Sequence, residues 1–401
     1  MKKMKMHEYL TELNSTEDGF SEESMYLRFT DSLLEQAVRS RSSDVHVEPL
    51  DGGGARIRFR IDASLKTQMV IGRNIASKLA IRLKCLAGVD LTDSKRAQEG
   101  SFAFSCLNRE ISVRYSALPT SSGQKVVMRI FDPLTYTRDL QDLGFTDSDY
   151  LLFSQMLRRK SGLILITGGT GSGKSTTCFS ALRQISTEAL SLVSIEDPVE
   201  VRLPFITQFQ TDCACDFAYL LTMILRQDPD VIFLGEIRDE ESARAAIRAG
   251  NTGHLVLSTI HASDCFTVPS RLGELGVRPQ VLSEVLAGVI SQRLMRRLCP
   301  HCAEQIPAVS GDILAQRGCY RSTGCPACRH TGVLGQKGLY EVLPYDRKLI
   351  SLVTGKTKPS LLRREAEARG WKPFDSKLTE EVACGSISLN EGRRLLNEGL
   401  V

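Results

Sequence analysis

The sequence predicts an α/β protein whose core is a mostly parallel sheet, preceded by a small α+β domain and followed by a cysteine-rich loop and a helical C-terminal segment. Between about residues 144 and 295, short apolar runs alternate with helical patterns, the layout of parallel strands joined by helices. A glycine-rich loop at 168–176 follows the apolar run 163–167 and precedes a segment of helical pattern. Such a loop at a strand-to-helix turn is typical of α/β cores.

The chain of 401 residues divides into consecutive parts, each bounded by a change of pattern. A polar stretch without periodicity comes first and is followed by segments with strand alternation. The α/β core, a cysteine cluster and amphipathic helical patterns come after them. The predicted parts are a flexible tail at 1–24, a small α+β domain at 25–132, a linker at 133–143, the core at 144–298, a four-cysteine loop at 299–328 and a C-terminal helical segment at 329–401.

Strand signals dominate the small α+β domain. The segments SSDVHVEP and ARIRFRID alternate polar and apolar residues around a DGGG turn, which predicts a two-stranded hairpin. REISVRYSAL and QKVVMRIF repeat the pattern around the turn PTSSG. Before them, the spacing of apolar residues from Phe29 predicts an amphipathic helix with Asp31 or Ser32 as its N-terminal cap.

Composition limits the class of protein. With 42% hydrophobic and 24% charged residues the chain has the balance of a globular protein, and a net charge of +4 gives little reason to expect direct nucleic-acid binding. The basic N-terminus lacks a following apolar stretch and no window is apolar enough for a membrane span, so we expect a cytoplasmic protein. In that compartment the 12 cysteines are expected to be reduced thiols or metal ligands.

The glycine-rich loop GGTGSGKST matches the pattern G-x-x-x-x-G-K-[ST]. In this pattern small residues allow backbone N–H groups to close around phosphates, Lys174 reaches the outer phosphates, and the Ser175 hydroxyl binds magnesium. A glycine-rich surface turn would explain neither the apolar run before the loop nor the Lys-Ser pair at the required position. The predicted nucleotide-binding residues are Gly168, Gly169, Thr170, Gly171, Ser172, Gly173, Lys174, Ser175 and Thr176.

Two acidic residues follow apolar runs downstream of the loop. Glu196 and Asp197 end the run in LSLVSIEDPVE, and Glu236 follows the run in DVIFLGE. Hydrolysis of a bound nucleotide requires carboxylates near the phosphates, to help hold magnesium and to align a water molecule for in-line attack. A single acid at a strand end is more often solvated, but two of them after a phosphate loop favour a catalytic interpretation.

Two histidines, His254 and His261, bracket LVLSTI, another predicted buried strand. Residues seven apart along a strand lie too far from each other to share a metal ion. A contact with phosphate, or a link between nucleotide state and neighbouring elements, is the functional interpretation. Two hydrogen-bonded structural histidines are the alternative.

Four cysteines form two C-x-x-C knuckles, Cys299-Pro-His-Cys302 and Cys325-Pro-Ala-Cys328, separated by 22 residues. This spacing suits tetrahedral zinc, and four thiolates leave no coordination position open for water, so the predicted role is structural. Unliganded thiols and a redox pair are the alternatives. The presence of two paired knuckles weakens the redox interpretation.

Four segments of the chain, GGTGSGKST, SIEDPVE, RQDPDVIFLGEIRD and TGHLVLSTIHAS, occur in the order of Walker A, Asp box, Walker B and His box motifs. In this they resemble the secretion ATPase superfamily that drives type II secretion and type IV pilus assembly. SDVHVEP, RFRID and VRYSALPTSSGQKVVMRIF are similar to the second N-terminal domain of that family, so the resemblance spans about residues 25–400. It implies a RecA-like P-loop core, a PAS-like small domain, and hydrolysis of ATP with Mg²⁺.

The resemblance also implies roles for individual residues. Glu196 matches the acid that activates water, Glu236 the Walker B acid, and His261 lies in the His box. Arg114 and Arg129 match arginines that reach the terminal phosphate from the N-terminal domain, although alternating arginines on a strand are usually a solvated face. The cysteine tetrad, read as a Zn²⁺ site, is common in assembly and secretion ATPases and usually absent from retraction ATPases, so it favours assembly or export.

The resemblance implies a homo-hexameric ring that binds ATP and acts on a platform protein of the inner membrane, so the expected location is cytoplasmic and peripheral to that membrane. We expect the chain to lack the family's separate first N-terminal domain, and Thr222 stands where the family generally has arginine. Two alternatives stay open, and these departures motivate only the second of them. One is a related ring ATPase for DNA uptake or conjugation, and the other is a regulatory subunit that binds ATP and hydrolyses it weakly.

Overall fold

The computed structural model describes residues 19–212, 215–307, 314, 318–353 and 358–398. The chain forms two compact units, Met1–Thr135 and Tyr136–Val401, and their boundary falls inside the predicted linker at 133–143. The predicted flexible tail at 1–24 lies mostly outside the described residues. Its last part, 19–24, is helical, which corrects the prediction for those residues.

The described part of the first unit is a six-stranded antiparallel sheet with two long helices. Its elements are α1 (Gly19–Arg39), β1 (Asp44–Pro49), β2 (Ala55–Ile61), β3 (Ser64–Ile71), α2 (Arg73–Ala87), β4 (Gln98–Cys106), β5 (Arg109–Thr120) and β6 (Gly123–Phe131). The strand order is β3-β2-β1-β6-β5-β4. Antiparallel pairing of β1 with β2 and of β5 with β6 confirms both predicted hairpins.

Apolar side chains on one face of this sheet form the core of the first unit. Phe29 and Leu33 of α1 share a buried cluster with Phe59 of β2 and Tyr115 of β5. Buried residues alternate with more exposed ones along β2 and β5. The second face therefore carries polar and charged side chains, as is common for antiparallel sheets.

Helix α1 begins earlier than predicted. Asp31 and Ser32, the expected N-terminal caps, both lie inside a helix that begins at Gly19. The apolar face continues upstream, because Tyr26 is also buried in the core. The Thr30 hydroxyl donates a hydrogen bond to the Tyr26 carbonyl, so this turn is continuous with the rest of the helix.

The second unit alternates strands and helices, as predicted for its core. Among the helices of the described ranges, none combines the length and the apolar character needed to cross a membrane. From the unit boundary onward the elements are α3 (Pro133–Tyr136), a 3-10 turn (Leu140–Leu143), α4 (Asp147–Leu157), β7 (Gly162–Thr167), α5 (Lys174–Ile185), β8 (Leu192–Glu196), β9 (Thr207–Gln210), α6 (Phe217–Ile224), β10 (Val231–Ile237), α7 (Glu240–Asn251), β11 (Leu255–Ile260), α8 (Val268–Glu274), α9 (Pro279–Val285), β12 (Leu286–Leu298), β13 (Ala303–Ile306), β14 (Cys319–Ser322), a 3-10 turn (Pro326–Cys328), β15 (Val333–Pro344), α10 (Arg347–Ser351), α11 (Pro359–Glu367), α12 (Phe374–Ala383) and α13 (Leu389–Glu398).

A seven-stranded sheet forms the centre of the second unit, in the order β15-β12-β7-β11-β10-β8-β9. Neighbouring strands are parallel except for the pair β12 and β15. Strands β7, β8 and β11 are buried along their whole length, as expected for parallel strands covered on both faces. The predicted α/β class with a mostly parallel sheet is thereby confirmed.

The expectation of a helical segment at 329–401 is wrong for its first part. Residues Val333–Pro344 form β15, which pairs antiparallel with β12 and extends the core sheet beyond the predicted boundary at 298. Residues 338–343 are all buried, so this strand lacks the alternation of polar and apolar residues that identifies half-buried strands. The helices α10 to α13 come after it.

Candidate active site

The carboxyl ends of β7, β8, β10 and β11 lie at one edge of the core sheet, which we call the carboxyl edge. Thr167, the last residue of β7, pairs with Ile260 of β11, and Ile195 of β8 pairs with Leu234 of β10. Because these strands are parallel and in register, the residues that end or follow them come to the same edge. The carboxyl edge carries the loop 168–176, Glu196, Glu236 and His261.

The phosphate loop connects β7 to α5, which is the strand-to-helix turn that the sequence predicts. Gly168, Gly171 and Gly173 have φ angles of 150°, 74° and 88°, in the region that favours glycine. Helix α5 begins at Lys174, directly after the loop. The first turn of a helix has N–H groups that are not used within the helix, so this junction is suited to bind an anion.

The Lys174 ammonium group rests on the loop itself. Its Nζ donates to the carbonyl oxygens of Gly168 at 2.9 Å and Gly169 at 3.1 Å. Burial lowers the pKa of Lys174, and the Glu236 carboxylate acts in the opposite direction. Carbonyl oxygens are weaker partners for an ammonium group than a phosphate is, so the side chain can exchange them for an anionic ligand.

Glu196 is the more buried of the two predicted carboxylates. It is 4% exposed, and its Oε1 accepts hydrogen bonds from Ser194 Oγ at 2.7 Å and Gln208 Nε2 at 2.9 Å. Burial raises the pKa of Glu196, whereas the two hydrogen bonds act to lower it. Sequence reasoning missed Gln208, because its position opposite Ser194 depends on the pairing of β8 with β9.

Glu236 connects the residues that follow β10 and β11. Its Oε1 lies 3.0 Å from His261 Nε2, and its Oε2 accepts a hydrogen bond from Arg238 Nε at 2.9 Å. Arg238 also lies 3.5 Å from a carboxylate oxygen of Asp197. The structure thus brings together His261 and Glu236, which were predicted from separate motifs. It adds Arg238, a residue of the segment GEIRD that sequence reasoning missed.

The two histidines around β11 have different surroundings. His254 Nδ1 lies 3.1 Å from the Ala249 carbonyl oxygen and 3.1 Å from Thr252 Oγ1, at the C-terminal end of α7. These contacts agree with the structural alternative for His254. His261 lies at the carboxyl edge instead, where it contacts Glu236.

Arg114 and Arg129 are neighbours on the polar face of the sheet in the first unit. The strand register aligns them with two further charged residues, and we call the set of four the arginine row: Arg60, Asp44, Arg129 and Arg114. Asp44 accepts a hydrogen bond from Arg129 Nε at 3.1 Å and lies 3.4 Å from Arg60 Nε. The Arg129 side chain is nevertheless 58% exposed, and Arg114 is exposed as well.

The four predicted metal ligands come together in the second unit. The Sγ atoms of Cys299, Cys302, Cys325 and Cys328 all lie within 4.8 Å of one another. The backbone N–H groups of Cys325 and Gly332 each approach Cys328 Sγ at 3.2 Å, as donors to a thiolate do. Four converging sulfur atoms of this kind fit the tetrahedral ligand set that zinc prefers.

Comparison with known proteins identifies the family. Residues 20–394 match the family described as Type II/IV secretion system protein. The chain belongs to this family. The Type II secretion system protein HxcR of Pseudomonas aeruginosa is 36% identical over 391 residues, which cover 97% of this chain and 80% of that protein. The Type IV pilus assembly ATPase TfpB of Acinetobacter baylyi is 36% identical over 401 residues, covering 97% of this chain and 68% of that protein.

A solved structure also resembles this type II/IV secretion system protein. The pilus retraction motor PilT with bound ADP has a TM-score of 0.62 and 25% sequence identity, covering 90% of this chain and 95% of that one. The family that we predicted from the four motifs and from the strands of the first unit is confirmed.

Thr222, the predicted departure from the family pattern, lies exposed on α6. Its hydroxyl donates a hydrogen bond to the Ala218 carbonyl at 2.9 Å, within the same helix. Thr222 lines a cavity of about 440 Å³ together with Arg244 and Arg248 of α7. The departure therefore concerns the surface between α6 and α7 of this secretion-family protein, and neither Glu196 nor Glu236 is among the residues that line this cavity.

Proposed function

We propose that this protein is a magnesium-dependent ATPase that powers type II protein secretion or type IV pilus assembly. The observation that carries the proposal is the meeting of the phosphate loop, the buried Glu196 and the Glu236–His261 pair at one edge of the sheet. Two relatives, each 36% identical over almost the whole chain, support this assignment. One is named as a type II secretion protein and the other as a type IV pilus assembly ATPase.

The phosphate loop is proposed to bind the ATP phosphates. Backbone N–H groups of residues 168–176 donate to phosphate oxygens at the start of α5. Lys174 gives up its contacts with the carbonyls of Gly168 and Gly169 in favour of the outer phosphates, because a charged acceptor binds an ammonium group more strongly. Loss of this ammonium group weakens binding and hydrolysis together.

The residues at the carboxyl edge suit magnesium. The Ser175 hydroxyl and the Glu236 carboxylate are oxygen donors, the kind of ligand that Mg²⁺ prefers. When bound, the ion would neutralise part of the charge on the phosphates. His261 and Arg238 each contact one oxygen of Glu236, so they fix the orientation of this carboxylate.

Glu196 is the proposed general base. Its ionised carboxylate accepts a proton from the water that attacks the terminal phosphate. Ser194 and Gln208 both donate to Oε1, which holds the carboxylate in one orientation without supplying a competing charge. Burial raises its pKa, which makes the carboxylate a better proton acceptor than a solvated glutamate.

Arg114 and Arg129 are proposed to neutralise the terminal phosphate during hydrolysis. A planar guanidinium group suits this role because it forms two hydrogen bonds with phosphate oxygens. The two arginines belong to the first unit and the phosphate loop to the second, so nucleotide state would bias the arrangement of the units. This is the proposed link between hydrolysis and mechanical work.

We further propose that the protein works as a homo-hexameric ring that pushes on a platform protein of the inner membrane. Family membership and the two-unit architecture motivate this assembly. Light scattering of the purified protein with and without ATP measures the mass of the assembly. A protein that remains monomeric at every concentration and nucleotide condition would exclude the ring.

Zinc is proposed as a structural ion held by the four clustered cysteines. The metal would replace contacts among neutral thiols by bonds to thiolates and would tie the end of β12 to the turn before β15. We expect one zinc per chain by elemental analysis. Cys325→Ser should lose the metal and unfold at lower temperature, whereas Cys384→Ser, at an exposed cysteine outside the cluster, should retain both.

The decisive experiment is the rate of phosphate release by the purified full chain with ATP and magnesium. Wild type should release phosphate well above the rates of Lys174→Ala and Glu196→Gln, and Glu196→Gln should still bind ATP. A wild-type rate equal to those of the two variants would exclude the motor and favour an ATP-binding regulatory subunit. Strong stimulation by DNA would instead favour the DNA-uptake or conjugation ATPase.

A further inference from the structure

A buried glutamine on β12 supports the phosphate loop from beneath. Gln292 is 1% exposed, and its Nε2 donates a hydrogen bond of 2.6 Å to the Ser172 carbonyl oxygen, 120 residues away in the chain. Strand β12 runs parallel to β7, with Ser291 opposite Thr167, the last residue before the loop. Gln292 therefore follows the last paired residue and lies beside the start of the loop.

Gln292 also lies close to the loop at two glycines, Gly168 and Gly173. A Cβ atom at Gly168 would collide with the carbonyl oxygen of Gln292, and a Cβ atom at Gly173 would lie 3.3 Å from Gln292 Nε2. The glycines at these two positions thus permit close approach to β12 as well as positive φ angles. Gln292 is thus hydrogen-bonded to the loop at Ser172 and lies close to it at Gly168 and Gly173.

Strand β12 is itself firmly held, so Gln292 is a fixed support. The next residue, Arg293, donates to the Leu395 carbonyl at 2.9 Å. Arg296 forms a 2.6 Å ion pair with Glu391, a carboxylate that is itself buried. The C-terminal helix α13 therefore holds the strand from the side.

The chemistry of Gln292 is not that of a packing residue. Among the described residues, neither Gln292 Oε1 nor Ser172 Oγ has a hydrogen-bond partner, although both atoms are buried. A buried amide with an unpaired oxygen destabilises the fold relative to an apolar side chain of similar size. The hydrogen bond to Ser172 is the contact that an apolar residue at this position would lose.

We propose that Gln292 is a positioning residue for the phosphate loop, acting through the Ser172 peptide. In a trans peptide the C=O and N–H groups point in opposite directions. Holding the Ser172 carbonyl toward β12 turns the Gly173 N–H away from β12, to where it can donate to a phosphate. The inference rests on the proposed function for its ligand, ATP. It implies that β12 holds the phosphate loop in its binding conformation before ATP binds.

Gln292→Met tests the hydrogen bond, because methionine has a similar length and no donor. The equilibrium Kd for ATP, measured in a Glu196→Gln background that prevents hydrolysis, should rise about tenfold, the factor expected from one lost buried hydrogen bond. In the chain with Glu196 intact, KM should rise while kcat changes less, because an interaction made before the chemical step is removed. An unchanged Kd would overturn the proposal.

Gln292→Glu tests the role by the pH dependence of the Kd for ATP, which a purely structural role of Gln292 would not change. A protonated carboxyl can donate its O–H to the Ser172 carbonyl as the amide does, whereas the carboxylate repels this carbonyl. Tyr340 of β15 lies opposite Gln292 in the register, and the Lys174 ammonium group of α5 contacts the loop at the Gly168 and Gly169 carbonyls. The Kd relative to wild type should be near one at about pH 5.5 and above tenfold at about pH 9, since burial raises a glutamate pKa into this range.

Met295→Ala is the matched control on the same strand. Met295 is fully buried and belongs to the cluster beneath the C-terminal helices. Its substitution should lower the melting temperature and leave the Kd for ATP unchanged. Two results would overturn the positioning role. One is a Kd for Met295→Ala that rises as much as that of Gln292→Met, and the other is a Kd of Gln292→Glu relative to wild type that does not change with pH. If wild type binds ATP but does not hydrolyse it, the proposed function fails, while the Kd ratios still decide the role of Gln292.

Discussion

The carboxyl edge of the core sheet and the arginine row of the first unit hold charged side chains in different ways. At the carboxyl edge, Glu196 is 4% exposed and two donors fix its Oε1. In the arginine row, the Arg129 side chain is 58% exposed and pairs with Asp44. A buried hydrogen-bonded carboxylate is held rigidly, whereas an ion pair with an exposed partner contributes little stability and is readily exchanged.

This difference matches two kinds of work in the proposed motor. Groups that align water and magnesium must be in place before the reaction, since catalysis depends on a preorganised geometry. Groups that respond to nucleotide state must bind the phosphate and release it again, so a weak contact in the absence of nucleotide is an advantage. The carboxyl edge is preorganised in the first sense, whereas the arginine row has weak contacts that can be exchanged.

Removing the two family-matched arginines should have the largest effect. In Arg114→Ala with Arg129→Ala, kcat for ATP should fall about 10³-fold, because arginines that neutralise the terminal phosphate contribute roughly 10³ to 10⁵ in phosphoryl-transfer enzymes. Equilibrium ATP binding should change much less. The matched control is Arg56→Ala, which removes an exposed arginine from β2 outside the row. An equal fall in kcat in the control would show that kcat depends on the positive charge of the first unit in general, and not on Arg114 and Arg129.

The protonation of Glu196 should produce the next largest effect. Its carboxylate must be ionised to act as a base, and burial raises its pKa. The value of kcat should therefore fall as the pH falls through that raised pKa, by about tenfold per pH unit. Gln208→Leu removes a hydrogen bond that lowers this pKa, so the acid limb of the pH–rate profile should move to higher pH.

The control for this shift is Gln210→Leu. Gln210 is on the same strand β9, but its side chain accepts from the Val199 N–H. Its replacement should leave the acid limb in place. If Gln208→Leu also left the limb in place, the limb would belong to a group other than Glu196.

The parts of the site that local motifs define were predictable from the sequence. A phosphate loop has a fixed spacing, and an apolar run that ends in an acid places this acid at the carboxyl end of a strand. When such strands are parallel, their ends meet, which is why Glu196, Glu236 and His261 reach the same edge as the loop. The hairpins were predictable because the turn and both strands of a hairpin are contiguous in the sequence, so they too are defined by a local pattern.

The parts that depend on pairing between distant strands were not predictable. Gln208 reaches Glu196 only because β9 pairs with β8, and Gln292 reaches Ser172 only because β12 runs beside β7. Strand β15 was assigned to a helical segment because its buried half has no alternation. In each case the deciding information is the order of strands in the sheet, which periodicity along one segment does not contain.

Asp44→Asn should have the smallest effect, and it tests whether the resting contact of Arg129 competes with phosphate. Replacing the carboxylate that pairs with Arg129 and Arg60 should raise kcat/KM for ATP about two- to threefold, the range expected for releasing one weak ion pair. Thermal melting checks that the first unit stays folded. The gain should vanish in an Arg129→Ala background, because a double-mutant cycle isolates the pair. An equal gain in kcat/KM with and without Arg129 would mean that Asp44 does not act through Arg129. The Arg129–Asp44 ion pair would then not compete with the binding of ATP.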